Sequence, residues 1–131
     1  MLGVYIFISL LLISLIRDIR DEKTRECMSA NKKILPITLI HHFFSIFVLF
    51  GWLLSPISLV KIYAIVTLST IVYWGVFGFC HVSKYVNKTC GWDKDKYFND
   101  IVSELKSSSK ESIFYLLGLT VAFLRIYYFK K

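Results

Sequence analysis

The sequence predicts an all-α integral membrane bundle of four transmembrane helices, with an amphipathic interfacial helix between the third and the fourth. Three observations lead there. Of the 131 residues, 56% are apolar and 17% aromatic, more than a water-soluble domain of this size carries. The apolar residues are clustered rather than dispersed, the pattern of a chain solvated by lipid. Charge is confined mainly to two blocks, Arg17 to Lys33 and Lys84 to Glu111, with long stretches between them that hold almost none.

The first span, Leu2 to Ile16, is uncharged and stops at Arg17. Its length gives about 22 Å of helix against a hydrocarbon core of roughly 30 Å, so bilayer thinning or snorkelling by Arg17 is expected to cover the deficit. It lacks a basic segment in front and a small-residue cleavage site behind, and so reads as a retained anchor. Residues 34–54 are uncharged, and their many strong hydrophobes outweigh two off-centre histidines. A break at Ser55-Pro56-Ile57-Ser58 precedes the third span, residues 62–81, whose only ionisable groups lie at its far end. The fourth, residues 113–129, follows Ser108-Ser109-Lys110-Glu111, which fits a capping box. Arg125, near its end, can snorkel toward the interface.

The connections carry six Lys/Arg between spans one and two, one between two and three, and six between three and four, with three more from Arg125 onward. Loops 17–33 and 82–112 are therefore expected inside and both termini outside. In the third connection Tyr97, Phe98, Ile101, Val102 and Leu105 recur at helical spacing opposite Lys94, Asp95, Lys96 and Glu104, which predicts the interfacial helix. Pairs such as Arg17 with Asp21 and Asp21 with Arg25 suggest that the first helix continues into solvent.

Net charge is +7, but six basic residues stand among four acidic in the first block and six among five in the second. No phosphate-binding stripe results, so nucleic acid is not an expected partner, whereas an anionic lipid surface is. Cys27, Cys80 and Cys90 form neither a C-x-x-C nor a zinc spacing, and an odd count leaves a thiol over, so a disulfide scaffold is not expected.

Within the spans, Thr38, His41, Ser45 and Trp52 line one face of span two, and Tyr63, Thr67, Thr70, Trp74 and His81 repeat along span three near Gly75 and Gly78. Hydroxyl and small residues on a seam let helices approach and bond across it. Gly118 and Ala122 in span four make a small-xxx-small step, for packing within the bundle or between copies. About an antiparallel hairpin at Ser55 to Ser58, residues whose numbers add to about 115 share a depth, which levels His41 with Trp74. His41 is then either a proton carrier or ligand contact in an aromatic setting, or a neutral histidine bonded across the seam.

Metal or haem ligation by His41 or His42 with Cys80 and His81 has suitable donors. The hairpin register counts against it, because it levels His81 with Ile34, about 10 Å from His41. His42 points about 100° away from His41 around the helix. No span contains an acidic residue on these boundaries, no selectivity filter is present, and no side-chain constellation suggests a nucleophile with its base, so no catalytic residue and no cofactor is assigned. Asn87-Lys88-Thr89 is a glycosylation sequon on the side expected to be inside, where it would stay bare.

The stretch from His41 to Cys90, with Phe47-Val48-Leu49-Phe50-Gly51-Trp52-Leu53-Leu54, Trp74, Cys80-His81-Val82-Ser83 and Asn87-Lys88, resembles small uncharacterised multi-span membrane proteins of large DNA viruses. The resemblance implies a histidine early in one span, here His41 or His42, facing a tryptophan and a cysteine late in the next, here Trp74 and Cys80. It implies no activity. The expected function is a non-enzymatic scaffold or partner-binding protein in a viral or host membrane, with protein contacts at the inner loops. A metal, haem or ligand site at the level of His41, Trp74 and Cys80 is the first alternative, and an oligomeric pore on the Thr and His seam is the second.

Overall fold

The computed structural model describes residues 2–78, 80–92 and 111–129, and among them every regular element is helical. In chain order these are α1 (Leu2–Arg20), α2 (Glu22–Ala30), α3 (Ile34–Phe50) followed by a 3-10 turn at Gly51–Leu53, α4 (Ile57–Phe77), α5 (His81–Cys90) and α6 (Glu111–Tyr128). The interfacial helix expected around residues 97–105, and the Ser108 to Lys110 part of the capping box, lie outside the described residues.

Three segments, Leu2–Arg20, Ile34–Leu53 and Ile57–Phe77, are long and apolar enough to cross a membrane, while the apolar part of α6, Ser112–Tyr128, is shorter. Their apolar surface is turned outward. Only 17% of the apolar window of α1 and 28% of that of α4 is buried, and Leu2, Ile40, Ile65, Val72, Val76 and Leu116 stand among many exposed large hydrophobes. A water-soluble domain does not leave contiguous apolar faces of this extent uncovered, so these are surfaces for acyl chains. The chain is a membrane protein.

The α3–α4 hairpin is the centre of the fold, with α1 against α3 on one side and α6 against α4 and α3 on the other. Its turn is built by chain chemistry. The 3-10 turn tightens the end of α3, Leu54 goes extended, and Pro56 with φ −66° caps a helix whose first turn needs no donor from it. Thr67 Oγ1 donates to the Val48 carbonyl at 3.4 Å, a pair on the register in which residue numbers add to 115.

Packing is densest toward this turn. Phe7, Ile46, Phe47, Val60, Tyr63, Ala64 and Ala122 form one buried cluster. Gly118 is required there, because a Cβ would press on the Tyr63 hydroxyl and lie 2.7 Å from Trp52 Cδ1. Arg125 fastens the same end. Its guanidinium donates to the carbonyls of Trp52 (2.6 Å), Leu54 (2.9 Å) and Ser55 (3.0 Å), satisfying acceptors that the helix end leaves open. The Gly118 and Ala122 step therefore packs within the bundle.

These contacts fix the register of α6. Gly118 lies beside Tyr63 and Arg125 beside Ser55.

Several expectations change. α1 does not end at Ile16. It runs to Arg20, about 28 Å. Asp21 then starts a new helix, its carboxylate accepting from Thr24 N (3.1 Å) and Thr24 Oγ1 (2.7 Å) as an N-cap. The third span ends at Phe77 rather than His81, stopped by Gly78 in the left-handed region at φ +71°. Among the described residues, a Cβ on Gly75 or Gly78 would meet nothing within 4 Å, so neither packs against a described helix. Finally, a disulfide is present. Cys27 and Cys90 are joined with Cα atoms 5.5 Å apart, where Ile34 and Val86 dock α5 beside α2.

Candidate functional site

Two polar centres lie on adjoining faces of α3, one on each of its adjacent histidines, whose ring centroids are 6.1 Å apart. The first is enclosed. His42 Nε2–H donates to Asp18 Oδ2 at 2.6 Å, and Ser14 Oγ lies 2.8 Å from His42 Nδ1, with all three side chains fully buried. In the neutral tautomer with Nε2 protonated, Nδ1 is left to accept the serine proton, so each partner is satisfied. Ser14 and Asp18 stand one turn apart on α1 and present one face to His42.

This corrects two expectations. An acidic residue does lie inside a helix long and apolar enough to cross a membrane, and a serine, histidine and carboxylate are joined in a chain. Nothing can reach that serine while the helices are packed, because its accessible surface is zero. The arrangement is a polar clamp between α1 and α3.

The second centre is open. Among the described residues a cavity of about 720 Å³, within the range of ligand sites, lies between α3 and α4, with Tyr115 of α6 and the start of α5 completing its wall. Most of the lining is aliphatic or aromatic, including Ile37, Ile40, Phe44, Val48, Ile65 and Val66. Its polar lining groups are His41, Ser45, Ser69, Thr70, Tyr73, Cys80 and His81, of which Tyr73 bonds His81 and Cys80 bonds His41.

Four of the five candidate binding residues, His41, Trp74, Cys80 and His81, thus line one cavity, and His42 does not. Cys80 and His81 reach it because the chain reverses at Gly78. Their depth therefore no longer follows the hairpin register that separated His81 from His41. Trp74 packs edge to face on Tyr115 at 6.0 Å, forming part of the wall. His81 is hydrogen-bonded to the Tyr73 hydroxyl through Nδ1 and flanked by the Phe77 ring at 5.7 Å. Of the seam residues, Ser45 and Thr70 line the cavity, whereas Thr38 and Thr67 are buried elsewhere between helices. Thr70 Oγ1 is turned back to the Val66 carbonyl at 2.8 Å.

Cys80 lies beyond the end of α4, is partly exposed and carries a free thiol. Burial by itself would push the thiol up. Hydrogen bonds with His41 and Ser83, together with the field of His41, outweigh that and draw it from 9.0 down to about 7. A thiol with an adjacent imidazole is a nucleophile with its base, an arrangement that sequence spacing did not disclose. Among the described residues no three His, Cys, Asp or Glu side chains form a group able to hold a metal ion.

Asn87 of the sequon is buried in α5, and its Oδ1 has no hydrogen-bond partner among the described residues. No family model, no curated protein and no solved structure matches this chain.

Proposed function

We propose that this protein is a membrane-embedded binding protein for an amphiphile with an apolar body and a small polar head. The cavity carries the reading: its lining is mostly apolar, and among its polar groups Tyr73 bonds His81 and Cys80 bonds His41. Sites that orient a ligand join an apolar enclosure to a few placed polar groups. α6 serves as the fourth span in this reading.

The test is recovery of a bound lipid. Full-length protein purified in mild detergent is expected to retain a defined amphiphile, identified by mass spectrometry of the organic extract. Ser69→Trp, which fills the cavity, is expected to lower its recovery at least about tenfold. Equal recovery from both proteins, or only the bulk lipid mixture from either, would remove the reading.

A second reading, a partner-binding scaffold, has its own support. The disulfide and the packing of Ile34 on Val86 hold α2 and α5 as one charged platform at the membrane surface. Crosslinking in native membranes that captures no protein at this platform would sink it.

This reading takes the platform to be on the inner side, from the excess of Lys and Arg in loops 17–33 and 82–112, where a disulfide is transient and the packing of Ile34 on Val86 holds the platform without it. Acid trapping of intact cells is then expected to yield Cys27 and Cys90 as thiols that pair on oxidation. Recovery of the pair as a disulfide, closed to impermeant alkylating reagents only until it is reduced, would reverse the orientation.

A further inference from the structure

We propose that Cys80 is a site of S-acylation, receiving a long-chain acyl group from an acyl-coenzyme A thioester and laying the chain into the cavity between α3 and α4. The inference rests on the reading of that cavity as an amphiphile site, and it specifies the amphiphile as covalently held.

The geometry supplies what the transfer needs. Cys80 follows the left-handed turn at Gly78 that ends α4, so it lies beyond the long apolar helix with a free, partly exposed thiol. The residue lines the cavity, so a chain on its sulfur enters beside Ile37 and Phe44 and runs toward Val48 and Ile65. Burying methylene groups in a preformed apolar groove favours long chains over short ones. The groups facing the sulfur are His41 from α3, Tyr73 from α4 and His81 and Ser83 from α5, with Tyr115 of α6 on the far wall.

In the transfer the Cys80 thiol gives its proton to His41, and the thiolate sulfur attacks the acyl carbonyl carbon. A carbon–sulfur bond to Cys80 forms as the one to coenzyme A breaks. The coenzyme A thiolate leaves and takes up the proton. One thioester replaces another, with no oxidant or reductant. Imidazole contact keeps much of the thiol ionised near pH 7, where an ordinary cysteine is almost wholly protonated.

The experiment incubates full-length protein in lipid nanodiscs with palmitoyl-coenzyme A and reads the intact mass without reductant, so that Cys27 and Cys90 stay paired. The expected result is a gain of one palmitoyl group, located on Cys80 by peptide mapping, released by neutral hydroxylamine and absent from Cys80→Ser. His41→Gln is expected to slow the reaction at pH 7 by roughly tenfold or more, with recovery near pH 9 as the thiol ionises unaided. Palmitoyl transfer is expected to exceed acetyl transfer from acetyl-coenzyme A by at least about tenfold, and Ser69→Trp, which fills the cavity, to erase that preference. No adduct on Cys80, or equal rates for the two donors, would overturn the proposal. A non-covalent amphiphile recovered from wild type and Cys80→Ser alike would leave the binding reading standing without it, and protein with neither adduct nor ligand would remove both.

Discussion

His41 and His42 are neighbours in sequence, yet they belong to regions of opposite character. His42 faces α1 in a centre with no accessible surface, where Asp18 and Ser14 satisfy both ring nitrogens. His41 faces the gap between α3 and α4, where an apolar cavity opens and the nearest nucleophile is a thiol. The 100° step between consecutive helical residues makes this division possible. Enclosure turns an imidazole into a tie between helices, whereas an adjoining cavity leaves it able to exchange a proton with something that enters. Mutations on the two sides should therefore separate stability from chemistry.

The largest effect is expected on the enclosed side. Asp18→Ala leaves His42 buried without its acceptor, and removing one member of such a pair costs about 3–5 kcal/mol. Unfolding in mixed micelles should show a loss of that order for Asp18→Ala. The double variant Asp18→Leu with His42→Leu should recover much of it, because neither leaves an unpaired polar group in an apolar interface. A double variant as unstable as the single would mean that the pair is not the tie.

A smaller loss is expected at the turn end. Gly118→Leu forces Tyr63 and Trp52 away from α6, an overpacking cost of about 1–3 kcal/mol. The effect should extend to Arg125, whose carbonyl partners sit on the same packing, so Gly118→Leu and Arg125→Met should be non-additive. Strict additivity would show that α6 is held independently at the two sites.

The division between the two histidines was only partly legible in the sequence. Periodicity gave the long apolar helices, and the hairpin register levelled His41 with Trp74 and Val48 with Thr67, because a run without charge leaves few ways to arrange two helices about a proline turn. The enclosed centre was hidden by a rule that usually works. A charge normally ends a span, so a boundary at Ile16 excluded Asp18, and Ser14 lost its partner one turn on. Nothing local marks a carboxylate that a distant histidine will bond. Cys80 was misplaced for a related reason, since the hairpin register holds only while α4 continues, and Gly78 ends it. Cys27 and Cys90 are 63 residues apart, and only the docking of α5 on α2 brings them together.

The smallest stability effect is expected at His41, and it sharpens the contrast most. His41→Ala removes a side chain that borders a cavity and is only partly buried, so unfolding should shift by under about 1 kcal/mol, within the range of changes away from the core. Reactivity should move instead. In wild type the rate at which a maleimide alkylates Cys80 should rise through a midpoint near pH 7, since the lowered thiol is ionised above that value and protonated below it. Without His41, burial acts with less opposition, and the midpoint should move toward or beyond the ordinary value of 9.0 while the protein stays folded. An unmoved midpoint would mean that Ser83 alone holds the thiolate. Loss of the fold on His41→Ala would mean that the open side of α3 carries stability as well, and the separation between the two histidines would fail.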